Sequence, residues 1–232
     1  MNAMKATAHR AGVLYFLFMI VAIVDQFLLP GFTVPGDAAA TALKIKAAES
    51  AYRVDLLVGF ATLVIFIVLV ASLHRLLRHV DAEQSLLMVL FVAIGIAVAL
   101  ANLLTKFAPL VLLGGADYLS AFSGPQLDAL SFGALRFHGA GTAIATIFWG
   151  LWLFPFGLLV HRSGMFPRVL GILLLVAGFA YVATGVVAIG WPEHRQLAGR
   201  VLMPLYVGEV PIIFWLLIKG AREPQGLGRA PA

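Results

Sequence analysis

Glu209, Asp25, Asn102, Thr142 and His138 are polar residues set inside or at the mouth of apolar stretches, and Asp55, Lys106 and Arg136 stand at the ends of such stretches. Carboxylates, an amide, a hydroxyl and an imidazole in these places have the chemistry to hold a cation, exchange a proton, or orient a small polar molecule through hydrogen bonds. A metal centre is a weaker fit, because His138 is the one histidine near the set and no His-x-x-x-His or Glu-x-x-His pair accompanies it. Haem fares no better, since a single imidazole cannot supply two axial ligands. The sequence has no cysteine, so thiolate metal sites, disulfides and catalytic thiols are excluded. Neither a metal nor a cofactor is expected.

The elements that must position these groups are membrane helices. Of the 232 residues, 62% are hydrophobic and 12% charged, too little polar surface to cover a water-soluble globule of this size. Apolar runs of about 20 residues, each sufficient to cross a hydrocarbon core of about 30 Å, occupy roughly Ala11–Leu29, Val54–Ser72, Leu86–Thr105, Gly139–Val160, Val169–Gly190 and Val201–Ile218. The expected fold is therefore an all-α integral membrane protein, a bundle of six transmembrane helices. Residues 1–220 form one domain and 221–232, with Pro224, Gly226, Gly228 and Pro231, a disordered cytoplasmic tail. The first run follows Lys5 and Arg10 as a signal peptide would, but it is too long, and Ala38–Ala40 too distant, for a good cleavage site.

The formal charge of +5 does not indicate nucleic acid, because the basic residues are scattered at helix ends with no continuous basic face. They report topology. The short loops around Arg75 and Arg78 and around Arg162 and Arg168 are the basic ones, which predicts both termini on the cytoplasmic side. His74, His79 and His161 belong with these loops and are expected to be solvated. In the second of them, His161-Arg162-Ser163-Gly164 is a tight turn between two spans.

At 1.5 Å per residue from the cytoplasmic helix ends, Glu209 lies about 15 Å in, Asp25 and Asn102 at about 22 to 24 Å, Thr142 at about 28 Å, Asp55 and Lys106 at about 30 Å and His138 at about 34 Å. Helical spacing groups Asp55 with Gly59 and Thr62, Asn102 with Gly95, Ala99 and Lys106, and His138 with Gly141, Thr142 and Ala145. Polar residues thus travel with small ones. Such faces belong inside the bundle, since a carboxylate facing lipid costs at least about 2.5 kcal/mol. The implied feature is a polar funnel opening outward and floored by Glu209. Pro204 and Pro211 flank Glu209, and Pro155 interrupts the fourth span. Broken helices at membrane depth occur where backbone is buried in protein or lines a cavity.

Plainer roles compete with these. Glu209 can be a neutral or paired buried acid, and Asp55, Lys106 and Arg136 can be solvated anchors at the interface. Trp191 and Trp215 read as interface belt and Trp149 and Trp152 as packing. Gly171, Gly178 and Gly185, seven apart, give the fifth span a bare side for close helix approach. Asp37 is placed to cap a helix through Ala40, Leu43, Ala47 and Tyr52 that either lies on the outer surface or extends the second span outward. Gln126 to Arg136 extends the fourth span beyond the bilayer.

The segments Val34–Ala42 (VPGDAAATA) and Tyr118–Leu130 (YLSAFSGPQLDAL), the Arg136-Phe137-His138 entry, His161–Leu174 (HRSGMFPRVLGILL) and the Gly208-Glu209 pair resemble the bacterial membrane family known as domain of unknown function 4386. The likeness runs from about Arg10 to Gly220. It implies a six-helix protein of the bacterial inner membrane and brings no activity, cofactor or catalytic residues. The residues themselves favour binding or transport of a small molecule, lipid or ion, with Glu209 and Asp25 as charged groups and Asn102, Thr142, His138, Asp55 and Arg136 as further ligand contacts. The alternatives are an intramembrane metal-dependent hydrolase and a structural partner docking through the glycine side of the fifth span. The expected surroundings are the lipid bilayer and a small molecule or ion, without nucleic acid.

Overall fold

A backbone in hydrocarbon must satisfy its N–H and C=O groups within its own segment, and each apolar run accordingly becomes a helix. The computed structural model describes residues 3–29 and 31–222. It contains α1 (Ala3–Ile23), α2 (Ala38–Ala47), α3 (Glu49–Leu77), α4 (Ala82–Leu112), α5 (Gly124–Leu151), α6 (Leu153–Arg162), α7 (Arg168–Gly190), α8 (Arg195–Leu202) and α9 (Val210–Ile218), with no strand among the described residues. Six helical segments are long and apolar enough to cross a membrane: α1, α3, α4, α5 continued by α6, α7, and Pro192–Ile218.

The second, third and fourth spans outrun their apolar runs at both ends because amphipathic residues there continue the helical hydrogen bonding. Thus α3 begins at Glu49 and α5 at Gly124, which makes Gln126–Arg136 part of the fourth span's helix. Asp37 caps α2 through a 2.8 Å hydrogen bond from the Ala40 amide. Tyr52, expected in that same helix, instead belongs to α3, beyond a break at Ala48. The fourth span breaks at Trp152, three residues before Pro155, and the sixth passes through a 3₁₀ segment, Met203–Glu209, that holds Pro204 near its start and ends two residues before Pro211. Val24–Leu28 closes α1 with a π-helical turn.

Two compact units are formed by the described residues. One comprises those of Met1–Met19, Ile65–Ile96 and Ala143–Ala232, the other Ile20–Val64 and Ala97–Thr142.

In the first unit, small residues set the helix spacing. A Cβ on Gly150 would lie 2.6 Å from the Gly178 carbonyl oxygen, and one on Gly171 2.6 Å from that of Gly157. Ala143, Gly150 and Gly157 repeat every seven residues, as Gly185, Gly178 and Gly171 do on α7, so the two helices meet backbone to backbone. The glycine side of the fifth span is thereby packed within the chain, the close helix approach that its spacing implies. Around Tyr15 a cluster of rings forms the core: Trp152 and Phe156 stack at 5.2 Å and Phe18 and Phe66 at 4.7 Å. At the α6–α7 turn Gly164 takes φ 67°, and the Ser163 hydroxyl donates to the Val160 carbonyl at 2.9 Å.

His74, expected to be solvated, is partly buried and pairs through Nδ1 with the Ser85 hydroxyl at 2.8 Å. That bond ties α3 to α4 near their connection. Ala221 is buried and the Arg222 amide donates to the Met165 carbonyl at 3.2 Å, so the chain stays anchored past the expected boundary at 220. The remainder of the expected tail, 223–232, lies outside the described residues.

In the second unit, Phe32, Ile45, Tyr52 and Leu56 form a core with Leu103, Leu110 and Leu135 packed against it.

Gly178→Ala should lower stability by about 1 to 3 kcal/mol, since its Cβ would meet the Gly150 carbonyl oxygen at 2.9 Å. Gly133→Ala, with nothing within 4 Å, should not; thermal unfolding in detergent compares the two.

Candidate functional site

The second unit gathers most of the candidate residues. Asp55 on α3 and Lys106 on α4 form an ion pair at 2.8 Å, their side chains 8% and 18% exposed. These are not the solvated anchors expected at the interface. One turn earlier on the same face of α3, the Tyr52 hydroxyl donates to the Lys106 carbonyl. The ammonium and the backbone that carries it are thus both held by α3.

Asn102, one turn before Lys106, reaches α5. Its amide nitrogen donates to the His138 carbonyl at 2.9 Å and to the Thr142 hydroxyl at 3.3 Å. A Cβ on Gly141 would lie 2.1 Å from Asn102 Oδ1, so glycine at 141 makes room for the amide. His138 answers with Nδ1 at 3.1 Å from the Asn102 carbonyl oxygen. A carbonyl only accepts, so Nδ1 carries the proton, and in the neutral ring Nε2 presents a lone pair. Thr105 donates to the Asn102 carbonyl at 2.6 Å, adding a fourth residue to this junction.

Asp25 sits in the π-helical turn after α1, the kind of helix irregularity found most often at functional sites. Its Oδ1 is buried and accepts no hydrogen bond from the described residues. Gly59 faces it: a Cβ there would lie 3.7 Å from that oxygen. Lys106 and Asp55 both act on Asp25 electrostatically. Two carboxylates thus lie within electrostatic reach of one ammonium, and Asp55 is the one that pairs with it.

Thr62, on the Asp55 and Gly59 face, donates to its own helix at the Val58 carbonyl, 2.9 Å away, and contributes no polar group to the cluster. Arg136 is exposed and joins none of these hydrogen bonds.

Glu209 belongs to the first unit. It ends the 3₁₀ segment of the sixth span, and Oε1 accepts a hydrogen bond from the fully buried Tyr15 of α1. Gly208 makes this possible, since a Cβ there would stand 2.6 Å from the Leu173 carbonyl oxygen of α7. Tyr181, also within electrostatic reach of Glu209, stacks on Tyr206 at 3.8 Å, and Tyr206 donates to Thr184 at 2.8 Å.

The tyrosines are what reasoning from sequence missed. Tyr15 and Tyr52 pass for ordinary aromatic residues in apolar surroundings. The available signal was position: Tyr52 lies three residues before Asp55 on one helix face, and a phenol at membrane depth needs an acceptor. Among the described residues no three His, Asp or Glu side chains converge in a way that could hold a metal ion, so the donor set for a metal-dependent hydrolase is not assembled there.

Removing one member of the buried pair should be costly and removing both should not. Lys106→Met is expected to destabilise by about 3 to 5 kcal/mol by leaving Asp55 unpaired, and Asp55→Leu in the same chain should recover most of it. Thermal unfolding of the single and double variants measures the coupling. In the other unit, Tyr15→Phe should cost about 1 to 3 kcal/mol by removing the donor to Glu209. Glu209→Gln, whose amide oxygen still accepts from Tyr15, should leave the folded yield nearly unchanged.

Comparison with known proteins places these residues in a wider group. The family model described as "Domain of unknown function (DUF4386)" matches residues 10–220. A protein of Archaeoglobus fulgidus described as uncharacterized is 36% identical over 76 residues, which cover 33% of this chain and 44% of that protein. The match thus spans less than half of the relative's length. No solved structure matches.

Proposed function

The chain belongs to the DUF4386 family, and we propose that it binds or transports a small molecule, lipid headgroup or ion through the polar cluster of Asp25, Asp55, Asn102, Lys106, His138 and Thr142. The observation that carries this is the buried Oδ1 of Asp25, which accepts no hydrogen bond from the described residues and lies near an ion pair whose charges already answer each other. A carboxylate kept in this state in a membrane span is expensive and, by default, functional. With two carboxylates against one ammonium, the complementary ligand is a cation: a proton, a small monovalent ion, or the amine of a small molecule. Asn102 and Thr142 fix the α4–α5 junction, and His138 Nε2 offers a neutral acceptor beside it. Glu209 with Tyr15 is a second acidic site of the same chemical kind.

The basic short loops support an orientation with both termini cytoplasmic, which puts the cluster nearer the opposite compartment. The family resemblance supports the bacterial inner membrane as its location.

The test is ligand-induced stabilisation of the purified protein by a panel of monovalent cations and small primary and quaternary amines. At least one should raise the melting temperature of the native protein, and Asp25→Asn should abolish that shift while retaining the folded yield. An equal shift in both proteins, or none with any cation, would exclude Asp25 as the charged contact.

A further inference from the structure

We propose that a groove between the amino-terminal part of α1 and the carboxy-terminal part of α3 is a binding site for an anionic phospholipid. The groove has a volume of about 500 Å³, and Arg10 of α1 and Arg75 of α3 both line it. Its walls include Val13 and Val68, which are 50% and 44% exposed. A smaller recess of about 190 Å³, also lined by Arg75, adds His79.

Three observations select the occupant. The first is charge: among the described residues neither arginine is paired with a carboxylate, all of the ion pairs lying elsewhere. Two guanidinium groups on one groove repel each other, and a phosphate between them converts that repulsion into charge-assisted, bidentate hydrogen bonds. Arg75 uses its Nε within its own helix, donating to the Ala71 carbonyl at 3.3 Å.

The second is the direction of the apolar wall. Val13 lies one turn beyond Arg10 on α1, and Val68 two turns before Arg75 on α3, so both valines stand deeper in their spans than the arginines. A headgroup held by the arginines therefore has its acyl chains alongside exposed aliphatic side chains, whereas inorganic phosphate would leave those side chains unused. The third is position. Arg10 and Arg75 border the apolar runs of two helices long and apolar enough to cross a membrane, and basic pockets between spans take acidic headgroups.

The experiment is titration of the detergent-purified protein with dioleoyl phosphatidylglycerol, dioleoyl phosphatidylcholine or inorganic phosphate, reading the melting temperature. Phosphatidylglycerol should raise it, and the other two should not at equal concentration. The double variant Arg10→Gln, Arg75→Gln should weaken the apparent affinity about thirtyfold, from two charges each contributing about 1 kcal/mol. Arg78→Gln, an exposed neighbour outside the groove, should respond like the native chain. Equal stabilisation by phosphatidylcholine or by inorganic phosphate would overturn the proposal, as would a double variant that responds normally. Loss of the response in Arg78→Gln to the same extent as in the double variant would also overturn it, by showing that charge near the surface, and not the groove, is read.

Discussion

Hydrocarbon offers no hydrogen bonds, and that constraint decides where every polar side chain of this protein goes. Thr62, Ser72 and Thr184 donate to carbonyls of their own helices. Asn102 and His138 use each other's backbone, and Asp55 uses Lys106. Tyr15 and Glu209, 194 residues apart, use each other. The bonds between different helices also fix a helix against its neighbour, because the penalty for losing one is the desolvation of an unpartnered group. Three buried side-chain atoms among the described residues lack a hydrogen-bond partner, Asp25 Oδ1, Ser131 Oγ and Trp215 Nε1; Asp25 is the carboxylate of the three, and that is what turns a set of structural contacts into a candidate site.

Close approach is the condition under which these short side chains can meet. Gly141 yields space to the Asn102 amide, and Gly208 lets the 3₁₀ segment lie against Leu173 so that the next residue reaches Tyr15. The glycines of α5, α6 and α7 do the same work without polar groups, holding two spans together where apolar side chains gain little from leaving lipid. Irregular backbone accompanies the acids: a π turn at Asp25 and a 3₁₀ segment ending at Glu209. Neither segment could be tolerated facing lipid alone.

The six spans were legible because hydropathy over about 20 residues is a strong signal, and the hairpin at His161–Gly164 because its glycine and polar residues interrupt two long apolar runs. The common face of Asn102 and Lys106, and that of His138 and Thr142, followed from helical spacing. Which face meets which did not follow. Lys106 looked like a solvated anchor because sequence depth cannot reveal a partner on another helix, and Asp55 turned out to be 6% exposed. Tyr15 and Tyr52 were hidden by composition, since a tyrosine adds to an apolar count while carrying a hydroxyl. The heptad of Ala143, Gly150 and Gly157 escaped notice because two large tryptophans, Trp149 and Trp152, dominate that segment.

The central claim is that cations reach the acidic side of the cluster at Asp25. Because the chain has no cysteine, Gly59→Cys places a single thiol beside that carboxylate, its Cβ about 3.7 Å from Oδ1. Labelling by a positively charged methanethiosulfonate should be at least about tenfold faster than by a negatively charged one of similar size, and Asp25→Asn should erase the difference. A thiol unreactive to both reagents, or equally reactive to both while Asp25 is intact, would contradict it.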